Sequence, residues 1–204
     1  SVYDVDYNTQ TICLLIKIAG DGTQQLSEIS KNESLNIIYP LGNSFSKPQT
    51  DKVLLVGGGT GVAPMLLLGK YLKYEYHIVP EFLLGYRSKD LVIELEKFET
   101  LGKTYITTED GSLGHKGFVI HHPVLNDNSK KIDMIYTCGP DIMMKAVAKY
   151  AKSKDISCEV SLENLMGCGI GACLCCVTET VEHGNVNTCT EGPIFNTQQL
   201  KWQI

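Results

Sequence analysis

The sequence predicts an α/β protein of three parts: part of an antiparallel β-barrel, a doubly wound parallel-sheet domain, and a small β-rich domain built round cysteines. Three observations carry this. Residues 51–161 alternate apolar strands with helical patterns, which implies a parallel sheet with helices on both faces. A run of small residues, Gly57-Gly58-Gly59-Thr60-Gly61, joins the first of those strands to the first helix. Of eight cysteines in 204 residues, Cys168, Cys173, Cys176 and Cys189 gather near the C-terminus.

Residues 1–48 read as strands and turns. Residues 11–19 form a β-rich run that Gly20-Asp21-Gly22 breaks, and Thr23 can cap a short helix over 24–29. Residues 35–39 read as another strand. Pro40, Gly42, Asn43 and Pro48 then make a turn-rich linker. So few strands cannot close a barrel, and this block is expected to be the remainder of a larger unit.

Residues 49–161 form the second block. Strands are expected at 52–56, 81–85, 104–108, 132–137 and 156–161. Helices are expected at 62–74, with Pro64 tolerated in its first turn, and at 94–100, 118–125 and 141–153. In such sheets ligands lie outside the carboxyl ends of the strands. The glycine turn sits there. Glycines let backbone N–H groups approach a pyrophosphate, and the helix N-terminus that follows favours its charge. The run departs from G-x-G-x-x-G, because Val62 takes the third glycine position, and it lacks the Lys-Ser/Thr of a P-loop. Cys138-Gly139-Pro140 stands at a second carboxyl strand end and opens a helix. A tight strand-to-helix turn and a buried strand-end cysteine are the alternative readings of these two motifs.

Residues 162–204 form the third block. Strands at 177–182 and 186–188 flank a turn at His183-Gly184-Asn185, which would return Cys189 toward the other cysteines. Apolar residues are few, so a metal is expected to hold this small β-rich metal domain together. Cys168, Cys173 and Cys176 read C-x4-C-x2-C, the plant-type spacing for three thiolates on one [2Fe–2S] cluster, with Cys189 as the fourth. Gly167, Gly169, Gly171 and Ala172 let the loop curl and turn N–H groups toward the sulfurs. Cys175 would give C-x4-C-x-C. Neighbours on an extended segment point opposite ways, so Cys176 is taken as the ligand and Cys175 as a bystander. Zinc and disulfides are the competing readings. Zinc ribbons present two separated C-x2-C knuckles, and a chain with 43% hydrophobic residues has no need of staples.

The net charge of −5 and pI near 5.5 exclude a basic nucleic-acid stripe. No run of eighteen apolar residues suggests a membrane span, and no signal peptide is apparent at Ser1-Val2-Tyr3-Asp4. Many thiols without such a leader imply a cytoplasmic setting. The five histidines share no metal spacing, and Glu109-Asp110 before Gly111 reads as a turn.

Taken together, Gly20-Asp-Gly-Thr23, Pro40-Leu-Gly-Asn43, residues 55–64, Gly85-Tyr-Arg87, Thr137-Cys-Gly-Pro140 and residues 166–177 with Cys189 resemble the electron-transfer subunits of type B dihydroorotate dehydrogenase. These are members of the ferredoxin–NADP reductase-like superfamily. The resemblance covers nearly the whole chain. It implies FAD on an N-terminal barrel, NAD rather than NADP on the α/β domain, and a [2Fe–2S] cluster on Cys168, Cys173, Cys176 and Cys189. It also implies a partner, an FMN-containing dihydroorotate dehydrogenase catalytic subunit, in a heterotetramer serving pyrimidine biosynthesis. Residues matching the flavin site are Leu15, Ile16, Lys17, Gly22 and Thr23, with Ser1 as the last residue of an Arg-Pro-x-Ser motif. The Arg, the Pro and the strands before them do not appear, so a half barrel is expected to hold FAD poorly. Gly57, Gly58, Gly59, Thr60, Gly61, Cys138, Gly139 and Pro140 are carried over to NAD. A subunit of an NAD(P)H-oxidising hydrogenase or transhydrogenase complex would share this layout, and a non-redox zinc module is the reading from another class.

Overall fold

The structure is a computed structural model that describes residues 1–127 and 129–202; the last two residues of the expected third block, 203 and 204, lie outside it. The chain opens with a hairpin that the sequence reading did not separate: β1 (Val2–Asp6) pairs antiparallel with β2 (Thr11–Leu14). The Asp6 carboxylate closes the turn by accepting N–H bonds from Asn8 (2.8 Å) and Thr9 (3.2 Å). The expected run to residue 19 stops at Leu14, since beyond Leu15 no strand lies alongside it. A short helix, α1 (Asp21–Ser27), begins earlier than expected. Gly20 is its N-cap, and Thr23 reaches back from the third position to accept the Ala19 and Gly20 N–H groups. No strand forms at residues 35–39. Leu35, Ile37, Ile38 and Tyr39 stand exposed with no sheet edge beside them.

From Val53 the sheet is built from apolar runs buried on both faces. β3 (Val53–Gly58) is followed by α2 (Val62–Glu75), β4 (Glu81–Tyr86), α3 (Leu95–Leu101) and β5 (Thr104–Thr108). A two-residue β6 (His115–Lys116) forms one edge. β7 (Met134–Cys138), α4 (Asp141–Ser153) and β8 (Ser157–Ser161) complete the parallel part. The helix expected at 118–125 is instead two short 3-10 turns, Val119–His121 and Pro123–Asn126. Pro123 is the reason: it donates no N–H and disfavours helical geometry at His122.

The cysteine block adds β9 (Val177–Thr180), β10 (Gly184–Asn187) and β11 (Ile194–Asn196). The β9–β10 turn is Val181-Glu182-His183, two residues earlier than expected, because Gly184 already pairs with Thr180. Thr180 Oγ1 fixes it, donating to the Gly184 carbonyl at 2.9 Å and accepting the His183 N–H.

The main sheet has seven strands in the order β11-β8-β7-β3-β4-β5-β6. Leu55, Phe82, Leu84 and Tyr136 face α2 and α3, whereas Leu54, Val56, Leu83 and Ile135 face α4. Each such buried apolar side chain stabilises the fold by about 1.5–3 kcal/mol. β11 belongs to the cysteine block yet pairs antiparallel with β8, and Phe195 and Leu200 pack on Met144, Val160 and Leu162. The expectation that a metal holds this block together is therefore narrowed: its C-terminal half shares the sheet and core of the α/β domain. The signal was Ile194-Phe195, an apolar pair too short to read as a strand. None of the helices is long and apolar enough to cross a membrane, among the described residues.

Candidate functional site: a nucleotide cleft and a paired-thiol loop

Strand order reverses between β3 and β7, and both sequence motifs lie at that switch point. Gly57 pairs in register with Cys138. Gly59, Thr60 and Gly61 form a 3-10 turn that leads into α2, with Gly61 as its N-cap. Gly59 has φ +54° and open space where a Cβ would be, so its backbone lies open to a ligand. The other glycines face protein. A Cβ on Gly61 would lie 2.4 Å from the Cys138 carbonyl oxygen, and one on Gly58 would lie 2.4 Å from Met143 Sδ. Gly139, at φ +151°, lies against the Gly58 backbone. The two motifs therefore touch backbone to backbone at the N-terminus of α2. Pro140 caps α4 beside it. Cys138 is buried, which pushes its thiol up to about 11. Sequence reasoning gave Met143 no place in the site; it fills the space over Gly58.

The cysteine loop is held by backbone-to-sulfur bonds. Cys168 Sγ accepts the N–H groups of Ile170 and Cys173, each at 3.4 Å. These donors, Ile170 first, draw its thiol down to about 6. Cys176 Sγ accepts the Cys189 N–H at 3.4 Å, and a side-chain bond with Cys176 pushes the Cys189 thiol up. These backbone-to-sulfur bonds link Cys173 to Cys168 and Cys189 to Cys176. No three metal-ligating side chains converge on one point, among the described residues. Two pairs suit a two-iron cluster better than one tetrahedral zinc. Glycine is needed at 167, where a Cβ would lie 2.9 Å from Cys173 Sγ, and the loop turns through positive φ at Gly169 and Gly171. Cys176 and Cys189 are each 2% exposed, while Cys175 is exposed on the loop's outer side. Asn164, which drew no notice in the sequence, ties the block together. Its Nδ2 donates to the Cys176 carbonyl (3.1 Å) and to Thr188 Oγ1 (3.0 Å).

The residues matched to the flavin site occupy one open edge. Ser1 and Leu15 exchange N–H···O bonds of 3.0 and 3.1 Å, Ile16 and Lys17 are exposed, and Gly22 and Thr23 sit in α1.

A doubly wound sheet with a glycine cleft at its switch point, an antiparallel block before it and a paired-thiol loop after it define a reductase-type electron-transfer protein. Residues 163–201 match the iron-sulfur cluster binding domain of dihydroorotate dehydrogenase B, and residues 55–149 match the oxidoreductase NAD-binding domain. The dihydroorotate dehydrogenase B (NAD(+)) electron transfer subunit of Caldanaerobacter subterraneus subsp. tengcongensis is 35% identical over 198 residues, covering 96% of this chain and 77% of that protein. The same subunit of Clostridium acetobutylicum is 38% identical over 202 residues, covering 98% and 77%. Among solved structures, that of an NADH-dependent reduced ferredoxin-NADP oxidoreductase superposes with a TM-score of 0.88 at 30% identity. It covers 99% of this chain and 73% of the other. The chain belongs to the family of electron-transfer subunits of NAD-linked dihydroorotate dehydrogenase B. It is an oxidoreductase subunit of pyrimidine biosynthesis with an NAD-binding domain and an iron-sulfur cluster binding domain, and it works with a catalytic partner subunit.

Proposed function

We propose that residues 162–204 hold the cluster on Cys168, Cys173, Cys176 and Cys189, residues 49–161 hold NAD, and residues 1–48 contribute to the FAD site. The observation that carries the cluster assignment is that backbone N–H groups, two of them from Cys173 and Cys189, are aimed at the sulfurs of Cys168 and Cys176. The cluster supplies one-electron transfer, and the N–H donors at its sulfurs favour the negative charge it carries. For NAD, the open Gly59 backbone and the N-terminus of α2 suit a pyrophosphate, with Gly57, Gly58, Thr60 and Gly61 shaping the turn. Cys138, Gly139 and Pro140 form the opposite lip. A neutral, buried Cys138 thiol there excludes water without placing a charge beside the nucleotide.

The partner is proposed to be an FMN-containing catalytic subunit that oxidises dihydroorotate, two copies of each forming a heterotetramer. The surface round the cysteine loop fits a partner: Leu165, Met166, Ile170 and Leu174 stand exposed there, beside Ile37, Ile38 and Tyr39. A cytoplasmic setting suits the exposed thiols of Cys13, Cys173 and Cys175. The likeness to the ferredoxin-NADP oxidoreductase favours a second reading, a subunit of a flavin-linked NAD(P)H oxidoreductase complex. One assay separates them. Purified together with its catalytic partner, the protein should reduce NAD⁺ when dihydroorotate is added. Failure to do so, with electrons exchanged only among NADH, NADPH and ferredoxin, selects the second reading.

A further inference from the structure

The expected linker from Pro40 to Pro48 is instead strapped down at Asn43 and at Ser46. At the sheet end, the Tyr136 hydroxyl donates to the Ser46 carbonyl at 2.7 Å, and Phe45 packs edge-on against the Tyr136 ring at 5.3 Å. At the other end, Asn43 lies against residues 191–194. Its Nδ2 donates to the carbonyls of Glu191 (2.8 Å) and Ile194 (2.9 Å), and its Oδ1 accepts the Ile194 N–H at 2.9 Å. Its own N–H donates to the Gly192 carbonyl at 2.6 Å. One side chain thus spans two segments about 150 residues apart with every amide atom used. The approach needs glycine at 42, which has φ +62° and where a Cβ would lie 1.7 Å from the Gly192 carbonyl oxygen.

The clamped segment is continuous with the turn that presents Cys189. Glu191 closes that turn: its carboxylate accepts the Asn187 N–H at 2.9 Å and the Thr190 hydroxyl at 2.6 Å, and its own N–H donates to the Asn187 carbonyl. Asn187 Nδ2 in turn donates to the Gly171 carbonyl in the cysteine loop at 3.3 Å. We propose that Asn43 is a positioning residue that splices the flavin-side segment to the Cys189 turn, so that this segment sets the orientation of the cluster's fourth ligand. The proposal rests on the cluster assignment above. Its physical content is rigidity: fixed hydrogen bonds hold the fourth sulfur against the flavin-side block, where ångström displacements change transfer rates.

The test uses the full-length holoprotein and the variants Asn43→Ala, Asn43→Asp and Tyr136→Phe. The last releases the sheet end of the same strap and serves as the control. Amide hydrogen exchange at Cys189, Thr190 and Glu191 should quicken at least about tenfold in Asn43→Ala, the scale of one lost hydrogen bond, with β7 unchanged. The reduced cluster's electron paramagnetic resonance spectrum should shift or broaden while iron stays at about two per chain. Asn43→Asp should be worse, because it turns a carboxylate oxygen toward two carbonyls. Unchanged exchange at 189–191 with an unchanged spectrum overturns the proposal, as does an equal effect in Tyr136→Phe. If Asn43→Ala loses β7 protection as well, Asn43→Ser takes its place and the same readings decide. A colourless, iron-free wild-type protein sinks the cluster assignment instead, and the exchange rates alone then judge the strut.

Discussion

Gly61 stands directly behind Cys138: a Cβ at residue 61 would meet the Cys138 carbonyl oxygen at 2.4 Å. The turn after β3 and the end of β7 are one structure, and their contact shapes the proposed nucleotide site. Gly61→Ala must part them. We expect NADH affinity to fall at least about tenfold and the domain to lose about 1–3 kcal/mol, the usual cost of overpacking. Titration calorimetry and thermal melts check both. An alanine variant that binds NADH as tightly as the wild type contradicts the cleft assignment.

Burial pushes the thiols of Cys138 and Cys158 up, to about 11 and about 12. Both should resist alkylation in the native protein at pH 8, while exposed Cys13 and Cys175 react. A folded-state value above the unfolded one stabilises fully below the ordinary thiol value and is lost as pH rises through the folded value. Stability should therefore decline from about pH 9 upward, with labelling of Cys138 and Cys158 appearing over the same range. Mass-spectrometric mapping of alkylated peptides reads the order, and early labelling of Cys138 contradicts it.

Iron removal should split the cysteine block. β11 pairs with β8, and Phe195 and Leu200 sit in a core shared with α4. The β9–β10 hairpin has two strands of its own, is tied on one edge to residues 199–201 by the Thr180–Leu200 bridge, and meets the cysteine loop through Asn164. In chelated protein, amide protection should persist in β11 and fall in residues 168–189. Phe195→Ala should cost about 3–5 kcal/mol in both forms, as expected for a buried aromatic. Equal loss of protection in β11 and the hairpin would restore metal as the sole support of the block.

The parallel sheet was legible because its strands are continuous apolar runs punctuated by glycine turns, a pattern set by burial on both faces. The thiol loop was legible because its spacing reflects coordination chemistry. What escaped depends on contacts far apart in sequence. β11 is three residues whose role exists only beside β8, and Asn43 reads as a turn residue until it meets residues 191–194. The apolar run at 35–39 has strand composition but no neighbour to pair with. The mistaken helix at 118–125 had a local warning in Pro123, and the hairpin turn shifted because Gly184 could pair as easily as turn.

The most direct measurement compares Cys176→Ser with Cys175→Ser in anaerobically purified protein. Cys176 is buried and its sulfur accepts the Cys189 N–H, whereas Cys175 is exposed. The account predicts that Cys175→Ser keeps the red-brown colour and about two irons per chain, while Cys176→Ser loses both. Equal loss in the two variants, or a colourless wild type carrying stoichiometric zinc, would contradict it.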